Sequence, residues 1–192
     1  MIQSLILILI IITTPFAQAV PPNNFHTYFG ASKGAVPGFA TKPVYFNEVE
    51  AEQQLRYLYN NKKVRLVISL DHCKDMTDLI DKLNHKYPGI ELVHICRKVR
   101  RSKRHYDRNV ALFKEVASLI GNEDFFIHCR YGAHRAVTVL TGAWIEHGKM
   151  SFREAFKRAG GRDRAFRSKG QKELIGQARK FAKQTNGGKN AK

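Results

Sequence analysis

Apolar residues along this chain fall into two periods, and the switches between them outline an α/β domain. The run VRLVISL, Val64 to Leu70, is apolar at nearly every position, which predicts a strand covered on both faces. A second strand is predicted at Ile90 to Ile95, after the turn residues Pro88 and Gly89, and a third at Phe125 to His128. Helical spacing separates them. Asn47 caps a predicted helix reaching Tyr59, with Leu55 and Leu58 inward, and Asp78 to Lys86 forms another. Val110, Phe113, Val116, Ala117 and Ile120 share one side of a helix over Asn109 to Ile120. Ala136 to His147 carries no charge before Glu146, so that helix is expected to be central, with Trp144 in the core. Ser151 and Glu154 have the spacing of a capping box for a helix ending near Ala159, and Gln171 to Lys183 is the last helix.

Four stretches fall outside this pattern. Residues 1–19 hold no charged side chain, and Leu5 to Ile12 is too short to span a membrane. With Pro15 and Ala17-Gln18-Ala19 behind it, the stretch predicts a signal peptide and a secreted or periplasmic protein. Residues 20–42 read as a loop-like lead-in, followed by a short strand at Pro43 to Phe46, and residues 184–192 as a disordered tail. That leaves 43–183 as one folded domain, with no internal repeat and no linker. Cys96 to Arg108 is basic, lacks a hydrophobic period, and is expected to be a loop.

The 192 residues carry 33 Lys and Arg against 16 Asp and Glu, a net charge of +17. That imbalance leaves the fold undetermined but predicts attraction to polyanions such as nucleic acid, phosphoinositides, polyphosphate or an anionic membrane surface. There are three cysteines, Cys73, Cys96 and Cys129. An odd number leaves at least one thiol outside any intramolecular pair.

Cys129 stands where a buried cysteine has no structural reason to be. It follows the Phe125–His128 strand and opens the loop Cys129 to His134, and Arg135 then begins an apolar helix. In such a bend the loop amides and the first helical turn point inward and form an anion cradle. Gly132 permits a left-handed conformation, and Arg135 offers a planar fork for two phosphate oxygens. The same amides and helix dipole favour the thiolate of Cys129, placing a nucleophile beneath a held phosphate. The Cys-x5-Arg spacing is weak evidence alone; its setting between strand and helix is what gives it force.

These residues resemble the cysteine-dependent protein tyrosine and dual-specificity phosphatases, whose signature is His-Cys-x-x-Gly-x-x-Arg followed by Ser or Thr. The sequence HCRYGAHRA matches at His128, Cys129, Gly132 and Arg135, so the phosphate-binding loop would run through Arg130, Tyr131, Ala133 and His134. The resemblance extends over roughly Pro43 to Lys183. It implies a central, partly parallel sheet flanked by helices, a phosphocysteine intermediate, and neither metal nor other cofactor. Two departures stand out. The general acid of the family lies on a loop before the cysteine, and the only carboxylate in the corresponding basic segment is Asp107, whose place before a helix equally suits a cap. His105 and Asp71 are the alternatives. Ala136 replaces the hydroxyl that assists departure of the sulfur, so slow breakdown of the phosphocysteine is expected.

A missing acid matters least when the leaving group is itself acidic. An alkyl alcohol with a pKa of about 16 needs protonation more than a phenol at about 10, and a phosphoanhydride less than either. The expected substrate is therefore a phosphoprotein or a more anionic species: a phosphoinositide, a polyphosphate or an RNA 5′ end. Arg100, Arg101, Lys103 and Arg104 would contact it, with Lys98 and Arg108 in the same segment and Arg162, Arg164, Arg167 and Lys169 across the mouth. Two other readings remain: a phosphatase-fold protein that binds phosphorylated ligands without turnover, and a basic nucleic-acid- or membrane-binding secreted protein. Cys73 or Cys96 could pair reversibly with Cys129, or both could be ordinary thiols.

Overall fold

The computed structural model describes residues 48–187 except His72, Glu123 and Tyr131, and excludes the side chains of Glu50 and Arg164. The expected signal peptide, lead-in and Pro43 to Phe46 strand therefore lie outside the described residues, as does the end of the tail. In chain order the elements are α1 (Glu48–Lys62), β1 (Leu66–Ser69), α2 (Cys73–Lys86), β2 (Val93–Cys96), α3 (Tyr106–Leu119), β3 (Phe125–His128), α4 (Arg135–Gly148), α5 (Phe152–Arg158) and α6 (Lys169–Thr185). Single 3-10 turns occupy Lys103–His105 and Asp163–Ala165.

The three strands form one sheet in the order β2-β1-β3, and both pairings are parallel. β1 is central and its side chains alternate faces. Val67 joins one apolar cluster with Phe126, Leu55 and Leu58 of α1, and Met76, Ile80 and Leu83 of α2. Leu66 and Ile68 join the other, with Phe125, Ile127, Phe113 of α3 and Leu140 of α4. This two-sided cover explains the uninterrupted apolar run of β1, because a parallel strand flanked by helices has no solvent face. α4 is buried continuously from Ala136 to Ile145, Trp144 included. Its Gly142 lies against α3 so closely that a Cβ there would sit 2.2 Å from the Phe113 ring.

Several boundaries differ from the sequence reading. α2 begins at Cys73, because the stripe Met76, Leu79, Ile80, Leu83 extends a turn back through the polar stretch Lys74-Asp75. α3 starts at Tyr106, and the basic segment before it includes the 3-10 turn at Lys103–His105. Asp107 does not cap α3. The cap is His105, without a side-chain bond, and Asp107 lies in the first turn. Both α5 and α6 open with full capping boxes, Ser151 with Glu154 and Ser168 with Gln171. α6 runs on to Thr185, two residues past the expected end of the domain.

The cysteines are also distributed differently. Cys73 and Cys96 form a disulfide with each other, and Cys129 is free and buried. Both alternatives read from sequence are corrected. The parallel β1–β2 register carries Cys96 to the level of Ser69, and α2 starts just beyond Ser69, so the two Cα atoms come within 5.5 Å. The bond fastens the start of α2 to the end of β2 across a sequence separation of 23. Replacing both cysteines by serine is expected to lower the unfolding free energy by about 3 kcal/mol, the loop-closure value for such a span. Denaturant titration of the purified variant checks this; an unchanged midpoint contradicts it.

Candidate active site

The parallel β1–β3 pairing sets Ser69 beside His128, so the chain leaves both strands at one edge of the sheet. The amide of Leu70 continues the ladder, donating to the carbonyl of His128 at 2.9 Å. Asp71 follows on one side and Cys129 on the other. Asp71, Cys129, Arg130, His134 and Arg135 line one pocket of about 110 Å³, together with Arg101 from the basic segment. That is the room of roughly four water molecules at about 30 Å³ each, the scale of a single tetrahedral oxyanion. Three guanidiniums and one carboxylate face it.

Within the pocket, Arg135 Nη1 donates to Asp71 Oδ2 at 2.6 Å. The Nε of Arg135 is buried and has no acceptor among the described residues. Cys129 is only 3% exposed, reachable through the pocket rather than from the general surface. Gly132 takes a φ of +64°, the left-handed conformation anticipated for it. Its buried N–H donates to the carbonyl of Cys129 at 3.3 Å, closing a turn, so this amide does not point into the bend as expected. Arg130 and His134 are half-buried and pocket-lining. His134 Nε2–H donates to the carbonyl of Ala165 at 2.7 Å, and its ring meets Phe166 edge-on. The loop is thereby tied to the 3-10 turn Asp163–Ala165.

Other expected residues lie elsewhere. Asp107 is exposed and does not line the pocket. Of the four basic residues expected at the mouth, only Arg101 reaches the pocket; Arg100 and Arg104 are exposed beside it, with Arg104 Nε donating to His105. Lys103 and Lys169 line a separate groove. Tyr131 and the Arg164 side chain are outside the described residues, and Ala133 is half-buried in the loop. Ala136 is fully buried at the start of α4.

One feature that spacing did not reveal is a hydrogen-bonded chain behind the cysteine. His128 Nε2 meets Ser69 Oγ at 2.7 Å, Ser69 Oγ meets His94 Nε2 at 2.8 Å, and His94 Nδ1 meets Thr77 Oγ1 at 2.8 Å. Thr77 donates its hydroxyl proton to the carbonyl of Cys73 at 3.0 Å, which fixes the direction of the rest. His94 therefore donates from Nδ1. Burial holds its pKa below the ordinary histidine value, and in the neutral ring so favoured Nε2 accepts from Ser69, which in turn accepts from His128. The only sequence signal was Ser69, a lone hydroxyl in an apolar strand. The chain ends on Cys73, so the disulfide anchors the residue that precedes Cys129.

His134 is held neutral as well. Burial lowers its pKa, the Ala165 bond opposes the shift, and Arg101 and Arg135 add to it. For both histidines the folded value lies below the unfolded one of about 6.5. Their neutral contacts stabilise fully above that pH, and the contribution is lost as pH falls toward the depressed folded values, because the unfolded chain binds protons first. The thermal midpoint should therefore drop between pH 7 and pH 5, and His134→Gln should flatten part of that slope. An identical slope in the variant contradicts this.

No protein-family model and no curated protein matches the sequence. Solved structures do. Kinase-associated phosphatase, with its catalytic cysteine changed to serine, aligns with a TM-score of 0.56 at 13% identity, covering 88% of this chain and 97% of that one. Human DUSP28 aligns with a TM-score of 0.50 at 16% identity, covering 88% and 98%. A glycine-to-alanine mutant form of Tk-PTP gives 0.50 at 16%, covering 81% and 96%. The sheet order, the flanking helices and these alignments agree: the chain has the fold of the dual-specificity and protein tyrosine phosphatases.

Proposed function

We propose that this protein is an exported cysteine-based phosphatase with Cys129 as nucleophile and Arg135 as phosphate clamp. The observation that carries the reading is the convergence of Cys129, Arg135 and Asp71 on one oxyanion-sized, guanidinium-rich pocket. In the first step the Cys129 thiolate attacks phosphorus, and the bond from phosphorus to the leaving oxygen breaks with its electron pair going to that oxygen. In the second, water attacks the phosphocysteine, the sulfur leaves as thiolate and phosphate is released. Arg135 supports both transition states by holding equatorial oxygens; its unpaired Nε is a donor ready for one of them.

Asp71 acts as a positioning residue. Its Oδ2 accepts from Arg135 and keeps the guanidinium at the pocket wall. Asp107, the acid expected from sequence, is not at the pocket, so bond cleavage relies on the acidity of the leaving group itself. This favours aryl phosphates and phosphoanhydrides over alkyl esters, and a polyanionic substrate over a lone phosphomonoester. The Cys73–Cys96 disulfide supports an oxidising compartment and hence export. A second reading, ligand binding without turnover, is favoured by one observation: Ala136 has no hydroxyl with which to assist the sulfur in the second step.

Phosphate release from a series of aryl phosphates, an alkyl phosphate and a phosphoanhydride tests this. Turnover should rise steeply with leaving-group acidity, vanish in Cys129→Ser, and fall about a hundredfold to a thousandfold in Arg135→Ala. Alkyl ester hydrolysis as fast as aryl, or release surviving Cys129→Ser, contradicts it. Asp71→Asn separates its two conceivable roles. A positioning residue costs the same factor on phenyl phosphate as on p-nitrophenyl phosphate, whereas a proton donor costs far more on the phenyl ester.

A further inference from the structure

A second, larger concavity lies beside the catalytic pocket, between the 3-10 turn Lys103–His105 and α6. Its volume is about 610 Å³, and its walls carry Lys103, Lys169, Lys172 and Lys180 with Tyr106 and Glu173. The four ammoniums outnumber the one carboxylate, and none of the four lysines forms an ion pair among the described residues. On α6, Lys169, Lys172, Gly176 and Lys180 fall at spacings of three, four and four, so they form one stripe along the helix.

Gly176 is the independent sign that the groove takes a ligand. It stands in the middle of a seventeen-residue helix, where glycine is unfavourable relative to alanine. Packing does not demand it, for a Cβ there would meet nothing within 4 Å. What the missing side chain does is keep the floor of the groove open between Lys172 and Lys180.

One segment of chain supplies a wall to the groove and a wall to the catalytic pocket. Arg101 lines the pocket and Lys103, two residues on, lines the groove. The Arg101 side chain lies against α6, its Cδ 3.4 Å from where a Cβ on Gly170 would be. The wall is fixed from beneath. Gln177, buried in the groove floor, donates to the carbonyls of Arg101 and Ser102 at 3.1 and 3.4 Å and accepts from Asn109 at 2.7 Å.

We propose that this groove binds a single strand of nucleic acid whose phosphate-bearing end enters the catalytic pocket past Arg101. The inference rests on the phosphatase reading above and narrows its substrate class. A linear polyanion suits four ammoniums without carboxylate partners in a groove whose lining begins two residues from that of a phosphate-sized pocket. Inorganic polyphosphate would use the charges but not the lysine methylenes or the open glycine floor; the Tyr106 ring already carries the Lys180 ammonium, 4.1 Å from its centroid. A strand uses both, with phosphates on the lysines and bases and sugars on the apolar surface between them.

The test is binding of a fluorescein-labelled ten-nucleotide single-stranded RNA, with and without a 5′-phosphate, to the full chain carrying Cys129→Ser, read by anisotropy over a salt series. Lys172→Glu with Lys180→Glu should weaken binding at least tenfold and flatten the log–log salt slope by about 1.4, two phosphates at about 0.7 each. Gly176→Leu should weaken it at least tenfold while leaving the thermal midpoint unchanged or higher. The same charge reversal at exposed sites away from the groove, Lys63→Glu with Lys157→Glu, should change binding less than threefold. The 5′-phosphate should tighten binding severalfold, and Arg135→Ala should abolish that difference. Wild-type binding by Gly176→Leu, or equal weakening by the two charge-reversal pairs, overturns the groove. An indifferent 5′-phosphate overturns the path into the pocket. Polyphosphate or anionic vesicles binding tightly, with the strand unaffected by the groove variants, assigns the charge elsewhere. Absence of Cys129-dependent release from aryl phosphates sinks the phosphatase reading alone, since groove binding is measured without turnover.

Discussion

The site depends on one constraint, the parallel register that pairs Ser69 with His128. Parallel strands end at the same edge of a sheet, and here the residues just beyond that edge are Asp71 and Cys129. An antiparallel pairing would have put them at opposite ends. A slip of one residue would have turned His128 away from Ser69 and exchanged the faces on which Phe126 and Ile127 are buried. The hydrophobic effect therefore fixes the chemistry indirectly: burying Val67 and Phe126 on one face, and Ile68 and Ile127 on the other, leaves no alternative register for the cysteine.

Two linkages reinforce that edge. Arg135 and Asp71 bridge the first turn of α4 to the end of β1, and the His128–Ser69–His94–Thr77 chain runs behind them to the disulfide-held start of α2. Both bear on the position of the loop that carries Cys129. The Arg135–Asp71 pair also tempers a pocket otherwise lined by three cations, which keeps the loop compact while leaving a net positive field for a phosphate.

Much of this was legible in the sequence, for definite physical reasons. β3 was read to the residue because an apolar run stops at a loop of small and basic side chains, and α5 because a capping box is a local signal. Cys129 and Arg135 were placed together because strand, loop and helix are contiguous. What escaped depends on contacts between distant segments. The start of α2 is polar and is held by the disulfide and by packing of Met76, not by its own pattern. Asp71 was only an alternative to Asp107 until the sheet register brought it to Arg135, and Asp107 came first because it sat in the segment where the related phosphatases keep their acid. His134 was placed in the loop, but its partner Ala165 is 31 positions away and no local pattern shows that contact. The groove along α6 was invisible, since Lys103 and Lys169 were expected at the catalytic mouth and nothing local joined Lys172 and Lys180 to them.

The central claim is that sulfur at one position takes the phosphoryl group. Rapid quenching of the enzyme with a radiolabelled aryl phosphate, followed by proteolysis and mapping of the labelled peptide, tests it directly. The account predicts an acid-trapped label on Cys129 as a thiophosphate, accumulating because Ala136 gives the second step no hydroxyl. Turnover without any protein-bound label, or a label on another residue, would contradict it.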